Sequence, residues 1–168
     1  DVITRIRNFL SRGGIKRDVL DIGRILDDLL LMLQTLLGES GVTVEVSIAP
    51  NLPVLRADFV QLQQVMLNLV VNAVDAMRDP AVNTRILTIL VTASVTEGAV
   101  FRFSDTGLGI TPAMQEQIFD ALFSTKRDGL GMGLAISRSI IENHGGWLRL
   151  ETMIGPGAHF VFNIPNSQ

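Results

Sequence analysis

Five of the six polar side chains in a largely apolar stretch stand at a spacing that groups them. Gln61, Gln64, Asn68, Asn72 and Asp75 stand 3, 4, 4 and 3 residues apart between Phe59 and Met77, which stacks them along one side of a helix. A solvent-facing stripe usually carries Lys and Glu. This one has four amides and a single charge. Buried amides must find hydrogen-bond partners, and a ligand cavity supplies them. Amide oxygens together with bound water also suit Mg²⁺, which takes few protein ligands when it sits beside substrate phosphates. From the stripe alone, a polar surface and a ligand site both stay open.

Two further segments have chemical potential. In Phe101-Arg102-Phe103-Ser104-Asp105-Thr106-Gly107-Leu108-Gly109-Ile110 a strand runs into a tight turn with a carboxylate at its mouth. Asp105 can accept from an exocyclic amine, while Gly107 and Gly109 let backbone approach a flat ring. A plain turn with Asp as turn former is the simpler alternative. Downstream, Gly129-Leu130-Gly131-Met132-Gly133-Leu134 leads into a helix whose free N–H groups form an anion site, with Lys126 and Arg127 just before it. A flexible hinge would read the same way. Phe119 and Phe123 flank the polar segment between the two glycine clusters, either as part of a lid over a ligand or as anchors to the core.

Two common phosphate-binding schemes are excluded by context. A dinucleotide fingerprint would use Glu151 beyond the glycines, but it needs a buried strand directly before them, and Phe123 to Asp128 is too polar. A P-loop needs Gly-Lys-Ser/Thr, which is absent.

The elements that must position these groups follow from periodicity. Asp1 to Arg12 carries Val2, Ile3, Ile6, Phe9 and Leu10 as an amphipathic helix end, broken at Gly13-Gly14. A Leu-rich helix is expected from Val19 to Leu37, stopping near Gly38, and an alternating strand over 41–49. Asp58 followed three residues on by Gln61 caps a helix over 59–77, which Pro80 ends. Strands over 85–95 and 99–104 join through Thr96-Glu97-Gly98. A short helix over 112–117 and an irregular segment over 119–128 precede a helix over 130–144, closed by Gly145-Gly146. Strands over 147–153 and 158–164 form a last hairpin across Gly155-Pro156-Gly157. Antiparallel hairpins with helices on one face predict an α/β fold, a two-layer sandwich with a mixed, mostly antiparallel sheet. Two segments are expected: 1–14 as a helix end and linker, and 15–168 as one domain.

Composition narrows the class. With 168 residues, 47% of them hydrophobic, the chain can bury a core and is no disordered tail. A net charge of −3 with 14 scattered basic residues argues against a nucleic-acid surface. No apolar run reaches the roughly 20 residues of a membrane helix, so no membrane contact is expected. The start lacks a signal peptide's apolar core and lacks Met, which reads as an excised fragment. The absence of Cys removes thiol chemistry and fits a reducing, cytoplasmic setting.

Taken in order, the motifs resemble the ATP-binding domain shared by sensor histidine kinases, DNA gyrase and the Hsp90 chaperones, a Bergerat-type fold. The likeness spans roughly 41–165 and is closest to histidine kinases of the nitrogen-regulation and oxygen-sensing FixL type. Asn68-Leu-Val-Val-Asn72-Ala-Val-Asp-Ala-Met77 looks like their N box, Asp105-Thr-Gly-Leu-Gly109-Ile their G1 box, Ile118-Phe119 to Phe123 their F box and Gly129 to Leu134 their G2 box. The resemblance implies ATP and Mg²⁺ as ligands. It implies Asn72 and Asn68 at the metal, Asp105 on the adenine amine between Gly107 and Gly109, and Phe119 and Phe123 in the lid. Gly129, Gly131, Gly133 and Leu134 would lie at the phosphates, and Lys126 would reach the terminal one. As partners it implies a His-containing dimerisation domain of the same protein, in a homodimeric parent, and a response regulator receiver domain. Many relatives place Thr before the Phe of the last strand; here His159 occupies it. No phosphoacceptor motif is present, and neither His144 nor His159 is expected to accept phosphate. The alternatives are an ATP-gated conformational ATPase of the gyrase or Hsp90 type, which Asn68 disfavours because an amide is a poor base for water, and a degenerate ATP-binding module.

Overall fold

The computed structural model describes residues 16–124 and 131–167. The expected helix over 1–12 lies outside them. The elements are β1 (Asp18–Val19), α1 (Ile22–Met32), α2 (Gln34–Ser40), β2 (Thr43–Ile48), β3 (Arg56–Ala57), α3 (Phe59–Met77), β4 (Ile86–Ser94), β5 (Gly98–Asp105), α4 (Pro112–Gln115), α5 (Gly133–Asn143), β6 (Leu148–Glu151) and β7 (His159–Ile164). Five strands form one sheet in the order β2-β4-β5-β7-β6, parallel only between β2 and β4. Helices α1, α3 and α5 pack with one face of that sheet around a single apolar core. This is the expected two-layer α/β sandwich with a mixed, mostly antiparallel sheet.

The hydrophobic pattern explains the layering. In β4, Leu87, Ile89 and Val91 are buried and alternate with half-buried Thr88, Leu90 and Thr92. Their partners in β5 include Asp105, Phe103 and Phe101, which share that face. Phe162 of β7 stacks on Phe101 at 4.6 Å between centroids. Against this sheet α3 presents Leu62, Val65, Met66, Leu69, Val70, Ala73, Val74 and Met77, all buried.

The N-terminal third differs from expectation. The Leu-rich stretch begins three residues later, at Ile22, because the Asp21 carboxylate caps Arg24 N–H. It is split at Leu33, whose φ of −95° and ψ of 3° leave the helical region, and it continues past Gly38 to Ser40. Gly41, at φ 64°, ends it in the left-handed conformation. Asp18–Val19 pairs with Arg56–Ala57 as a separate two-stranded ribbon. Gly131 and Met132 lie outside the helix, so α5 starts at Gly133 and not at the expected Leu130.

The two helices that flank the site are joined at one end by a histidine. Asp58 caps α3 by accepting from Gln61 N–H at 3.0 Å, as expected. Its own N–H, however, donates to Nε2 of His144 at 3.0 Å, across 86 positions in the chain. His144 Nε2 is therefore an acceptor, and Nδ1 carries the proton that it donates to the Ile140 carbonyl at 2.8 Å. One neutral imidazole thus closes α5 and completes the start of α3. Replacing it strands the part-buried Asp58 N–H, which costs on the order of 1 kcal/mol. We expect His144→Ala to lower the urea midpoint accordingly, with an unchanged m-value. An unshifted midpoint would show that the joint carries no stability.

Candidate nucleotide site

Three of the predicted motifs meet on α3. Its polar stripe is half-buried at Gln61, Asn68, Asn72 and Asp75 and exposed only at Gln64. At Asn68, α5 presses against it: a Cβ on Gly133 would overlap the Asn68 amide oxygen, and Asn68 Nδ2 donates to Ser137 Oγ at 3.2 Å. At Ala76, the turn after β5 presses against it: a Cβ on Gly107 would lie 2.7 Å from the Ala76 carbonyl oxygen. Asn72 lies midway, one turn from each. Eight residues at 1.5 Å rise separate the two contacts by about 12 Å, a span suited to an extended nucleotide.

Asp105 is the buried charge of this cleft, with 5% of its surface exposed. Its Oδ1 accepts from Gly107 N–H at 2.8 Å and from Ala158 N–H at 3.2 Å. Among the described residues no bond falls on Oδ2, which is left for another donor. Burial pushes this carboxyl above the usual range; the N–H groups of Gly107 and Ala158, and the nearby His159, act in the opposite direction. The hairpin between β6 and β7 folds over the same group. Gly157, at φ 87°, has no room for a side chain, because a Cβ would overlap the Asp105 carbonyl. Thr106 anchors the turn from the other side. Its Oγ1 accepts from Ile86 N–H at 3.0 Å and donates to the Thr84 carbonyl at 2.6 Å.

The remaining predicted residues divide. Gly109, at φ 77°, packs its Cα toward the Gly157 carbonyl. Gly131, at φ 64°, lies under the backbone of Leu122 and Phe123, and its carbonyl accepts from Leu122 N–H at 3.0 Å. Leu134 is half-buried in the first turn of α5. Phe119 and Phe123 pack against the core, Phe119 edge-on to Phe160 at 6.3 Å with Arg138 over its ring at 5.2 Å. Both therefore anchor their segment as the structure stands. Lys126, Arg127 and Gly129 lie outside the described residues. Glu151, the acid a dinucleotide fold would have used, is held by Arg102 at 2.7 Å and Arg149 at 3.1 Å. The Arg102 hydrogen bond is the main reason its carboxyl falls below the ordinary range.

Known proteins share this arrangement. The model of the histidine kinase-, DNA gyrase B-, and HSP90-like ATPases matches residues 57–168. The chain belongs to this family. It is 35% identical over 168 residues to the sensor histidine kinase TmoS of Ectopseudomonas mendocina, an alignment covering 99% of this chain and 17% of TmoS. To the sensor protein FixL of Bradyrhizobium diazoefficiens it is 34% identical over 164 residues, 98% of this chain and 32% of FixL. The chain thus spans a minor part of either relative's length. Full-length ShkA, solved in complex with AMPPNP, matches with a TM-score of 0.82 and 27% identity over 98% of this chain and 34% of ShkA. The nucleotide-free catalytic domain of the histidine kinase ThkA shares the fold, with a TM-score of 0.78 and 24% identity over 89% of this chain and 95% of that one.

In this member of the ATPase family the structure distinguishes the two positions before the last-strand Phe. Ala158 pairs with Asp105 and donates to it, whereas His159 pairs with Ser104 and Glu151. Successive strand residues face opposite ways, so His159 lies on the sheet face away from Asp105, and Ala158 is the residue beside the carboxylate. The parity of β7 is set by its pairing with β5. Sequence reasoning missed Thr106, Ser137 and Gly157. Gly157 stands in a visible Gly-Pro-Gly turn, but nothing local ties it to a carboxylate 52 positions earlier.

The buried carboxylate predicts a pH effect. A carboxyl raised above its unfolded value of 3.8 binds more protons folded than unfolded, so stability falls as pH rises through that window. Asp105→Asn keeps an oxygen for both N–H donors without the charge. Urea unfolding at pH 7 should therefore find the Asn variant more stable than the parent, with the gap closing as pH falls below the unfolded value. A less stable variant at pH 7 contradicts this account.

Proposed function

We propose that this chain binds ATP with Mg²⁺ in the cleft along α3 and is the catalytic part of a sensor histidine kinase, passing the γ-phosphoryl group to a His on a separate dimerisation domain. The carrying observation is the convergence on one helix of a buried carboxylate with an open oxygen, two amides one turn apart and a glycine-led helix start. Adenine offers the amine that Asp105 Oδ2 can accept. Asn68 and Asn72 supply the oxygen donors that suit Mg²⁺, with phosphates and water completing its shell. The metal would offset charge on the transferred group, as phosphoryl transfer requires. Gly133 and Leu134 would direct N–H groups from the start of α5 to the phosphates, with Gly131 shaping the approach. Lys126 is proposed at the terminal phosphate, and Phe119 and Phe123 as the stem of a closing lid.

The described residues of the cleft position the nucleotide, and Asp75, the carboxylate of the stripe, is paired with Arg78. Asn68 is an amide where a hydrolase needs a carboxylate, so water is not activated and transfer to an external nucleophile is favoured over hydrolysis. Both nitrogens of His144 are engaged, and His159 lies on the far face of the sheet. The acceptor His therefore belongs to the dimerisation domain, and the phosphoryl group would pass on to a response regulator receiver domain. The sensor histidine kinase names of the relatives support this setting. No helix among the described residues is long and apolar enough to cross a membrane.

Isothermal titration should detect ATP binding that Mg²⁺ strengthens in the parent. Asp105→Asn, which offers an amine where adenine needs an acceptor, should weaken it by about tenfold or more. With ³²P-labelled ATP the chain alone should stay unlabelled and should hydrolyse ATP only slowly. Stable labelling at His144 or His159, or brisk steady-state hydrolysis, would rule out the kinase reading in favour of self-modification or a gyrase-type ATPase.

A further inference from the structure

Ser137 is buried to 1% exposure in the middle of α5, at a position with no obvious need for a hydroxyl. It lies one helical turn after Gly133, and both residues lie against the same amide, Gly133 nearest its oxygen and Ser137 at its nitrogen. Asn68 Nδ2 donates to Ser137 Oγ at 3.2 Å, and Asn68 Oδ1 rests against the bare Cα of Gly133. The reverse orientation is unfavourable at both ends. It would place an NH₂ against the aliphatic hydrogens of Gly133, where it finds no acceptor, whereas an oxygen there makes a weak Cα–H···O contact. It would also remove the donor that faces Ser137. The amide therefore points its oxygen toward the start of α5, where the nucleotide reading puts phosphates and cation.

We infer that Ser137 is a positioning residue for Asn68: it fixes which end of the amide enters the cleft, so that Asn68 presents an oxygen to a cation and not an N–H to a phosphate. This rests on the nucleotide reading above and adds the mechanism by which an electrically neutral side chain is made selective. An unpinned Asn can rotate by 180° and donate to a phosphate oxygen, which would keep nucleotide affinity but abandon the metal. A hydroxyl partner prevents the rotation at the cost of one buried polar atom. Partners of this kind, which orient a metal ligand without touching the metal, typically change metal affinity by 10–100-fold.

The test compares ATP affinity in Mg²⁺ and in EDTA for the parent, Ser137→Ala and Ser137→Thr. Ser137→Ala should reduce the Mg²⁺ enhancement by about tenfold, with affinity in EDTA within about twofold of the parent; Ser137→Thr should restore it. In the ¹⁵N-labelled apo chain, the Asn68 side-chain NH₂, identified by its loss in Asn68→Ala, should exchange slowly with solvent in the parent and quickly in Ser137→Ala. An enhancement and an exchange rate that survive Ser137→Ala unchanged overturn this inference alone. No Mg²⁺ enhancement in the parent overturns the nucleotide reading and this inference with it, a result distinguishable by the parent's own titration.

Discussion

Keeping a carboxylate almost out of water is the constraint around which the sheet end is organised. An isolated buried charge is expensive, and Asp105 has only two backbone N–H groups to offset that cost. Both come from segments with little freedom. Gly107 must lie flat against Ala76, and Gly157 must pass so close to the Asp105 carbonyl that no side chain fits. The β6–β7 hairpin therefore cannot shift without stripping the charge of a donor. In return, Oδ2 takes no bond among the described residues and is proposed as the acceptor for a ligand. A ligand amine that reaches it regains the hydrogen bond that burial took away, so the unfavourable state of the apo site becomes selectivity for a donor of matching position.

The opposite wall is a single helix, joined to its neighbours in three places. His144 ties the end of α5 to the beginning of α3, Asn68 and Ser137 tie the two helices near the middle, and Gly107 sets the β5 turn on α3 near its end. The apolar residues of α3 hold it to the sheet with large but non-directional energy. Its polar contacts contribute less energy and set its rotation and height. Those contacts fix the height at which Asn68 meets Gly133 and Ala76 meets Gly107.

What could be read from the chain beforehand follows the range of the interactions. The span of α3 was legible to the residue, since its cap, its unbroken run and its stop are all local. The β4–β5 and β6–β7 hairpins were legible for the same reason. The break at Leu33 carries no Gly or Pro, and the ribbon of Asp18–Val19 with Arg56–Ala57 is too short to show alternation. The four motifs, and the meeting of three of them on α3, were readable from spacing and resemblance. What was not readable is how they are held together. His144 meets Asp58 across 86 positions, Asn68 meets Ser137 across 69, and Asp105 meets Ala158 across 53. Each contact depends on the assembled sheet, whose register decides that Ala158 and not His159 faces the carboxylate.

The same contacts explain why the proposed reaction must be shared between domains. Among the described residues, the ionisable groups Asp105, Asp75 and His144 are each engaged in other contacts. Asp105 is held by backbone donors and is proposed to face adenine, His144 is locked as one tautomer between two helices, and Asn68 has no ionisable form. A site built this way can hold a phosphoryl donor for a long time without spending it on water, because it stabilises charge but activates no nucleophile. Reaction then waits on a nucleophile carried by another domain, and whatever governs the approach of that domain governs the rate. A signalling enzyme needs that property, since phosphoryl flow must follow the arrangement of domains and not the mere presence of ATP.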